Sequence, residues 1–200
     1  MSVLIVVLLL IALVIWFVGS LNQKRPQTPK TTPPIESRNL FNLEIGDIVQ
    51  YGFKDWVVET IFLYEQDGYE WREYLLRDST DVAWLSVEED DWLEISWMVP
   101  VPKEDVALSL PLRDSLKFNG IRYRLDEKGS ATYEIIGRSR TAKKGSCQFY
   151  DYKAEDGSLL SIESYGRSLD QGDIELCLGE VIRPSDLTLL PGDGHSVYSS

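Results

Sequence analysis

Six side chains have the types and spacing that suit one kind of chemistry, the holding of a cation. Trp71, Glu73, Trp84, Glu88, Asp151 and Glu163 fall in short runs rich in β-branched and aromatic residues. Along a strand, every second side chain points to the same face. Trp71, Glu73 and Leu75 therefore share one face, with Arg72, Tyr74 and Leu76 on the other. Trp84, Ser86 and Glu88 share a face opposite Leu85 and Val87. Later in the chain Phe149 and Asp151 share a face, and Glu163 stands opposite Leu160 and Ile162. Carboxylates beside aromatic rings attract ammonium and guanidinium groups. The expected partner is another protein offering Lys or Arg, or a small cationic ligand such as a polyamine. A second reading stays open: the aromatics are buried between two halves, and Glu73 and Glu88 pair with Arg72, Arg77 or backbone amides.

Other chemistries find little material. Paired carboxylates can serve glycoside hydrolysis, but these acids fall on strands, with no evident cleft. The chain has one His and two Cys, too few for a His/Cys zinc set or a His-based triad. The His, His195, lies in a Gly/Ser-rich tail. Glu88-Glu89-Asp90-Asp91 lacks the Gly-spaced alternation of a calcium loop and reads as a solvated acidic turn. Lys143-Lys144-Gly145 has no phosphate-loop context. A net charge of −12, from 32 acids and 20 bases, argues against nucleic acid as a partner. We expect a non-catalytic module for protein recognition or scaffolding at the cytoplasmic face of a membrane, or alternatively a sensor of a small cation such as a polyamine, with no catalytic residue, no cofactor and no metal.

The elements that must carry these residues read as strands. Trp56 to Tyr64, Tyr69 to Arg77, Val82 to Glu88 and Trp92 to Val99 are rich in Val, Ile, Trp and Tyr. Turn clusters divide them: Gln66-Asp67-Gly68, Asp78-Ser79-Thr80-Asp81 and Glu89-Asp90-Asp91. Glu155-Asp156-Gly157-Ser158 marks a hairpin. No amphipathic helix is evident after residue 40. The expected fold is all-β, with small antiparallel sheets or barrels.

The strands also repeat. Val49, Tyr51, Trp56 and Val58 match Leu116, Phe118, Tyr123 and Leu125 at one constant offset. Glu73-Tyr74 matches Asp151-Tyr152, and Leu85-Ser86-Val87-Glu88 matches Leu160-Ser161-Ile162-Glu163. The second copy carries an extra loop, Gly137 to Ser146. Two related halves, 40–104 and 105–190, each too small for comfortable stability alone, should pack together.

Three motifs resemble a family of bacterial domains of unknown function. They are the opening Gly46-Asp47-Ile48, the W-x-E-Y-x-L strand Trp71 to Leu76, and the W-L-x-V-E strand Trp84 to Glu88. Tyr150-Asp151-Tyr152 and Leu160 to Glu163 are similar to the degenerate half of such proteins. The resemblance implies no activity, so no catalytic residues carry over. It implies a membrane setting and a link with polyamine-related genes.

Ahead of the body, residues 3–18 carry no charge, and the apolar stretch reaches about 20 residues, enough to cross a bilayer as a helix. Nothing basic precedes it, and bulky Ile15, Trp16 and Phe17 fill its end where a cleavage site would want small residues. The expectation is an uncleaved transmembrane helix at 1–21, a Pro-rich extended linker at 22–39 and a frayed tail at 191–200. Lys24, Arg25 and Lys30 follow the helix, which places the body on the cytoplasmic side. Charge is uneven: residues 40–98 hold 15 acids and three bases, whereas 112–183 hold 12 of each. Arg138, Arg140, Lys143 and Lys144 can meet an anionic leaflet or simply solvate a hairpin loop. Cys147 and Cys177 fall on strands; they read as buried small hydrophobes in a reducing compartment and as a disulfide if the body is exported.

Overall fold

Alternating apolar residues and two-residue turns produce a run of antiparallel hairpins. The computed structural model describes residues 37–102, 106, 108, 110–137, 143–166, 173–195 and 198. Eleven strands follow one another: β1 (Ile48–Tyr51), β2 (Lys54–Gln66), β3 (Tyr69–Asp78), β4 (Asp81–Glu89), β5 (Leu93–Pro100), β6 (Ser115–Phe118), β7 (Ile121–Ile136), β8 (Lys143–Ala154), β9 (Ser158–Tyr165), β10 (Asp173–Val181) and β11 (Thr188–Leu190). The fold is all-β; a single 3-10 turn, Pro184–Asp186, is the one helical element among the described residues. The Asp67-Gly68 turn joins β2 to β3 with φ of 52° and 90°, the left-handed pair whose twist matches the flanking strands.

The expected strand boundaries differ by a residue or two. β2 begins at Lys54 and ends at Gln66, and Trp92 lies on the turn before β5, 71% exposed. Lys143 to Ser146, expected in a loop, lie on β8 and pair with Ile135 to Thr132 of β7. The membrane helix, residues 22–36 of the Pro-rich linker, Arg138 and Arg140 lie outside the described residues. No helix among the described residues is long and apolar enough to cross a membrane.

The strands form one antiparallel sheet in the order β11-β1-β2-β3-β4-β5-β10-β9-β8-β7-β6, and β2 also pairs with β7. That extra pairing closes the eight strands from β2 round to β7 into a ring. An eight-stranded ring has an interior filled by side chains or able to hold one small ligand.

The ladder of β1–β5 recurs in β6–β10. Val49 faces Trp56, as Leu116 faces Tyr123. β2 breaks register between Val58 and Thr60, and β7 breaks it between Leu125 and Glu127. Each break lets one long strand serve two neighbours. The first part of β2 pairs with β1 and the rest with β7; β7 pairs first with β6 and then with β2.

Alternation divides the side chains between two environments. One face of each half builds an apolar core. The first contains Val49, Val58, Tyr74, Leu76, Leu85, Val87 and Ile95. The second contains Leu116, Tyr123, Tyr152, Leu160, Ile162 and Leu176. The chain exchanges covers between them: Ile182, Leu187 and Leu189, after β10, pack on the first core, while Val101, Val106 and Leu108, after β5, pack on the second. Tyr74 and Tyr152 each donate a hydroxyl hydrogen bond to a loop carbonyl, of Leu40 (2.7 Å) and Arg113 (3.1 Å). The opposite faces of β3, β4, β8 and β9 turn toward each other, and the polar residues lie there.

Candidate functional site

The facing walls enclose a cavity of about 160 Å³, lined by Trp71, Glu73, Glu88, Phe149, Asp151 and Glu163 among others. A smaller cavity of about 30 Å³ adjoins it and shares Glu73, Ser86, Met98, Ser161 and Glu163; Trp84, Glu175 and Cys177 complete it. The carboxylates keep partial surface area because they face this empty space, yet protein surrounds them at depth.

Rings build the walls. Trp71 stacks on Tyr64 with centroids 4.9 Å apart and planes at 3°. Phe149 meets Trp71 edge-on at 5.7 Å. Phe149 lies across the ladder from Gly129, where a Cβ would fall 2.6 Å from its Cζ. The missing side chain lets the ring lie flat over β7 rather than project into the cavity. Trp84 meets Phe62 edge-on at 5.3 Å and donates its Nε1 hydrogen to Glu175 Oε1 at 2.7 Å.

The acids respond to burial and to one another. Glu163 accepts hydrogen bonds from Tyr64, at 3.2 Å, and from Tyr165. Even so, burial pushes its carboxyl up to about 7, against the pull of the Tyr165 bond and with repulsion from Asp151 and Glu175 adding to the rise. Burial likewise raises Glu88 to about 7, with Asp151, Glu94 and Glu127 repelling it and a Tyr69 hydrogen bond opposing. Asp151 rises to about 6, mainly through burial, while a bond from Ser161 holds it back. Glu73 is raised well above the usual range, first by burial and then by Glu163, Asp151, Glu175 and Glu88.

Glu73 is the least compensated of them. No hydrogen-bond donor or cation meets its carboxylate among the described residues, and every named influence on it disfavours its charge. Lys153 is the one basic residue lining the larger cavity among the described residues. It is 42% exposed and lies 3.9 Å from Asp126. The arrangement can receive a positive group; it offers nothing comparable to an anion.

A domain of unknown function, DUF4178, matches residues 44–184. The chain belongs to this family. The match spans the strands carrying the W-x-E-Y-x-L and W-L-x-V-E motifs on which the resemblance rested. Uncharacterized proteins of Mycobacterium bovis and Mycobacterium tuberculosis are each 27% identical over 204 residues, covering 94% of this chain and 95% of their own. An uncharacterized protein of Aquifex aeolicus is 24% identical over 163 residues, 74% of this chain and 90% of its own. No solved structure matches.

The six candidate binding residues named from sequence all lie on the cavity system: Trp71 and Glu73 on β3, Trp84 and Glu88 on β4, Asp151 on β8 and Glu163 on β9. No ion pair joins Glu73 or Glu88 to Arg72 or Arg77 among the described residues. Arg72 instead lies over the Phe41 ring at 6.0 Å, on the opposite face of β3. Of the basic set, Lys143 and Lys144 are exposed at the start of β8, and Lys144 pairs with Glu134 at 2.9 Å. Sequence reasoning missed Tyr64, Tyr165, Glu94 and Glu175. Phasing β5 and β10 as it phased β3 and β4 would have found the two acids. The tyrosines come from the ends of β2 and β9, which only ring closure brings together. The disulfide that export would permit is excluded by geometry. β9 separates Cys147 on β8, opposite Tyr165, from Cys177 on β10, opposite Ser161, so they are more than about 9.6 Å apart from strand spacing alone, and both thiols are free and buried. A bridge needs Cα atoms within about 7 Å.

Proposed function

We propose that this domain binds a small organic cation, such as a polyamine, in the cavity between its two halves, as a sensor rather than an enzyme. The observation that carries this reading is Glu73: a half-buried carboxyl facing the cavity, with Glu163, Asp151, Glu175 and Glu88 around it and no hydrogen-bond donor on it among the described residues. Leaving such a group uncompensated costs the protein stability. An ammonium group between Glu73 and Glu163, flanked by aromatic rings, removes that cost and gains cation–π attraction. Size supports a small ligand, since an apolar cavity of about 150 Å³ holds benzene. A Lys side chain from a partner protein is the alternative occupant. The apolar run at 3–18 and Lys24, Arg25 and Lys30 support a second element of the proposal: the domain works at the cytoplasmic face of a membrane that its leader crosses. Protease treatment of spheroplasts tests that element, and a body digested from outside would end it.

Titration of the full chain with spermidine, followed by tryptophan emission, tests the ligand. Trp71 and Trp84 line the cavities, so filling them should shift the spectrum. Binding should strengthen from pH 6 to pH 8 as Asp151, Glu88 and Glu163 lose their protons. No spectral change and no heat of binding up to millimolar spermidine would refute the proposal.

A further inference from the structure

The acids of the chamber fall into two sets that the repeated ladder makes equivalent. Across β3 and β4, Glu73 stands opposite Ser86; across β8 and β9, Asp151 stands opposite Ser161. Two residues beyond each serine comes the next acid, and its neighbour is an acid again. Glu88 faces Glu94 on β5, and Glu163 faces Glu175 on β10. Exchanging the halves therefore carries Glu88, Glu94 and Asp151 onto Glu163, Glu175 and Glu73.

The seams show what kind of exchange this is. β2 meets β7 antiparallel with Glu65 opposite Thr132, and β5 meets β10 antiparallel with Met98 opposite Gly179. Each of these pairs joins corresponding positions of the two halves. The relation is thus an approximate two-fold running through both seams and across the ring, and it swaps the ring's ends. One acidic set faces each end. Glu88, Glu94 and Asp151 line only the larger cavity, Glu175 lines only the smaller, and Glu73 and Glu163 line both.

The ends differ in what lines them. Trp84, beside the second set, corresponds to Leu159 beside the first, because each precedes a matching Leu85 or Leu160. Tyr165 adds a ring at that same end, hydrogen-bonded to Glu163. We call the end with the smaller cavity the floor and the other the mouth; the two are joined by shared lining at Glu73, Ser86, Ser161 and Glu163. Along β4, Glu88 is two residues beyond the level of Glu73, about 7 Å at the rise of a strand.

We infer that the ligand is a linear dication lying lengthwise, with one ammonium among the floor acids and the other among the mouth acids. This rests on the cation-binding reading above and goes beyond it in requiring two charges a short alkyl chain apart. A single ammonium satisfies the floor and leaves Glu88, Glu94 and Asp151 facing one another. A rigid or bulky dication does not fit the narrow floor. A short aliphatic diamine meets both requirements.

Putrescine and butylamine, which share a four-carbon chain and differ in the second amine, separate the two levels of the claim. Calorimetric titration of the full chain at pH 8 and fixed ionic strength should show putrescine binding one to one, at least tenfold tighter than butylamine. Glu88→Gln should remove most of that advantage, weakening putrescine far more than butylamine. Glu163→Gln should weaken both. Equal affinities for the two amines, or a Glu88→Gln variant that keeps the putrescine preference, would overturn the two-site inference and leave cation binding standing. Failure of putrescine, butylamine and spermidine alike would overturn both.

Discussion

Replacing Glu88 with Gln should stabilise the unliganded protein at pH 8 and hardly change it at pH 5. The carboxyl goes from 4.5 in the unfolded chain to about 7 in the folded one, through burial and the neighbouring Asp151, Glu94 and Glu127. Between those values the native state binds more protons than the unfolded state, so stability is highest at low pH and falls as pH rises. At 1.36 kcal/mol per unit, the cost of ionising this one group reaches roughly 3 kcal/mol once the pH exceeds 7. At pH 5 the unfolded chain is only partly ahead in proton release, and the cost is under about 1 kcal/mol. Glu88 alone should therefore remove roughly 2 to 2.5 kcal/mol from the wild type between pH 5 and pH 8. Gln keeps the shape and still accepts the Tyr69 hydrogen bond, but it has no proton to lose. Urea unfolding of the full chain at both pH values, followed by tryptophan emission and extrapolated linearly, measures the difference. Parallel pH dependence in wild type and E88Q would mean that Glu88 titrates as an ordinary solvated acid, and the electrostatic argument for a cation site would fail. Spermidine should flatten the wild-type dependence, since it supplies the charge that the fold withholds.

Three further outcomes follow from particular contacts. Gly129→Ala places a Cβ against Phe149 and Gln66; Phe149 should swing into the cavity, weakening spermidine binding at least tenfold while urea unfolding shows a loss of about 1–3 kcal/mol. Asp47→Ala should cost about 3–5 kcal/mol in the same unfolding assay, because the buried carboxylate pairs with Arg38 at 2.7 Å and accepts the backbone N–H groups of Glu44 and Gly192, each at 2.7 Å. Burial raises both thiols, Cys147 to about 12, so neither should react with a disulfide reagent at pH 8 until urea is added; prompt reaction in the native state would contradict the closed interior.

Much of this arrangement was legible because strand alternation is local. The division of Trp71, Glu73, Trp84 and Glu88 from Tyr74, Leu76, Leu85 and Val87 needs no tertiary knowledge, and the two-residue turns set the hairpins. The repeat was legible for the same reason, since Trp56 and Tyr123 keep their spacing from Val49 and Leu116. The register breaks at Glu59 and Asp126 were not. Nothing in their residue types forces an extra residue there, yet each break frees one strand to meet two partners, and ring closure depends on it. Without closure the acidic face looks like an outer surface. With it, the same residues line an interior, and Tyr64 from β2 reaches Glu163 on β9.

That change of setting alters what the acids imply. On an outer surface, Glu73 and Glu163 would be hydrated, would repel each other weakly across water, and would require no explanation. Inside the ring, they raise each other's proton affinity and lower the stability of the fold at neutral pH. A sheet that needed only to fill its interior would place Leu or Val at these positions, as the opposite faces of β4 and β9 do with Leu85, Val87, Leu160 and Ile162. The repeat keeps an acid at corresponding places in both halves, Glu73 with Asp151 and Glu88 with Glu163, and keeps space between them. Charge retained at that cost beside a cavity is what the cation proposed above would compensate.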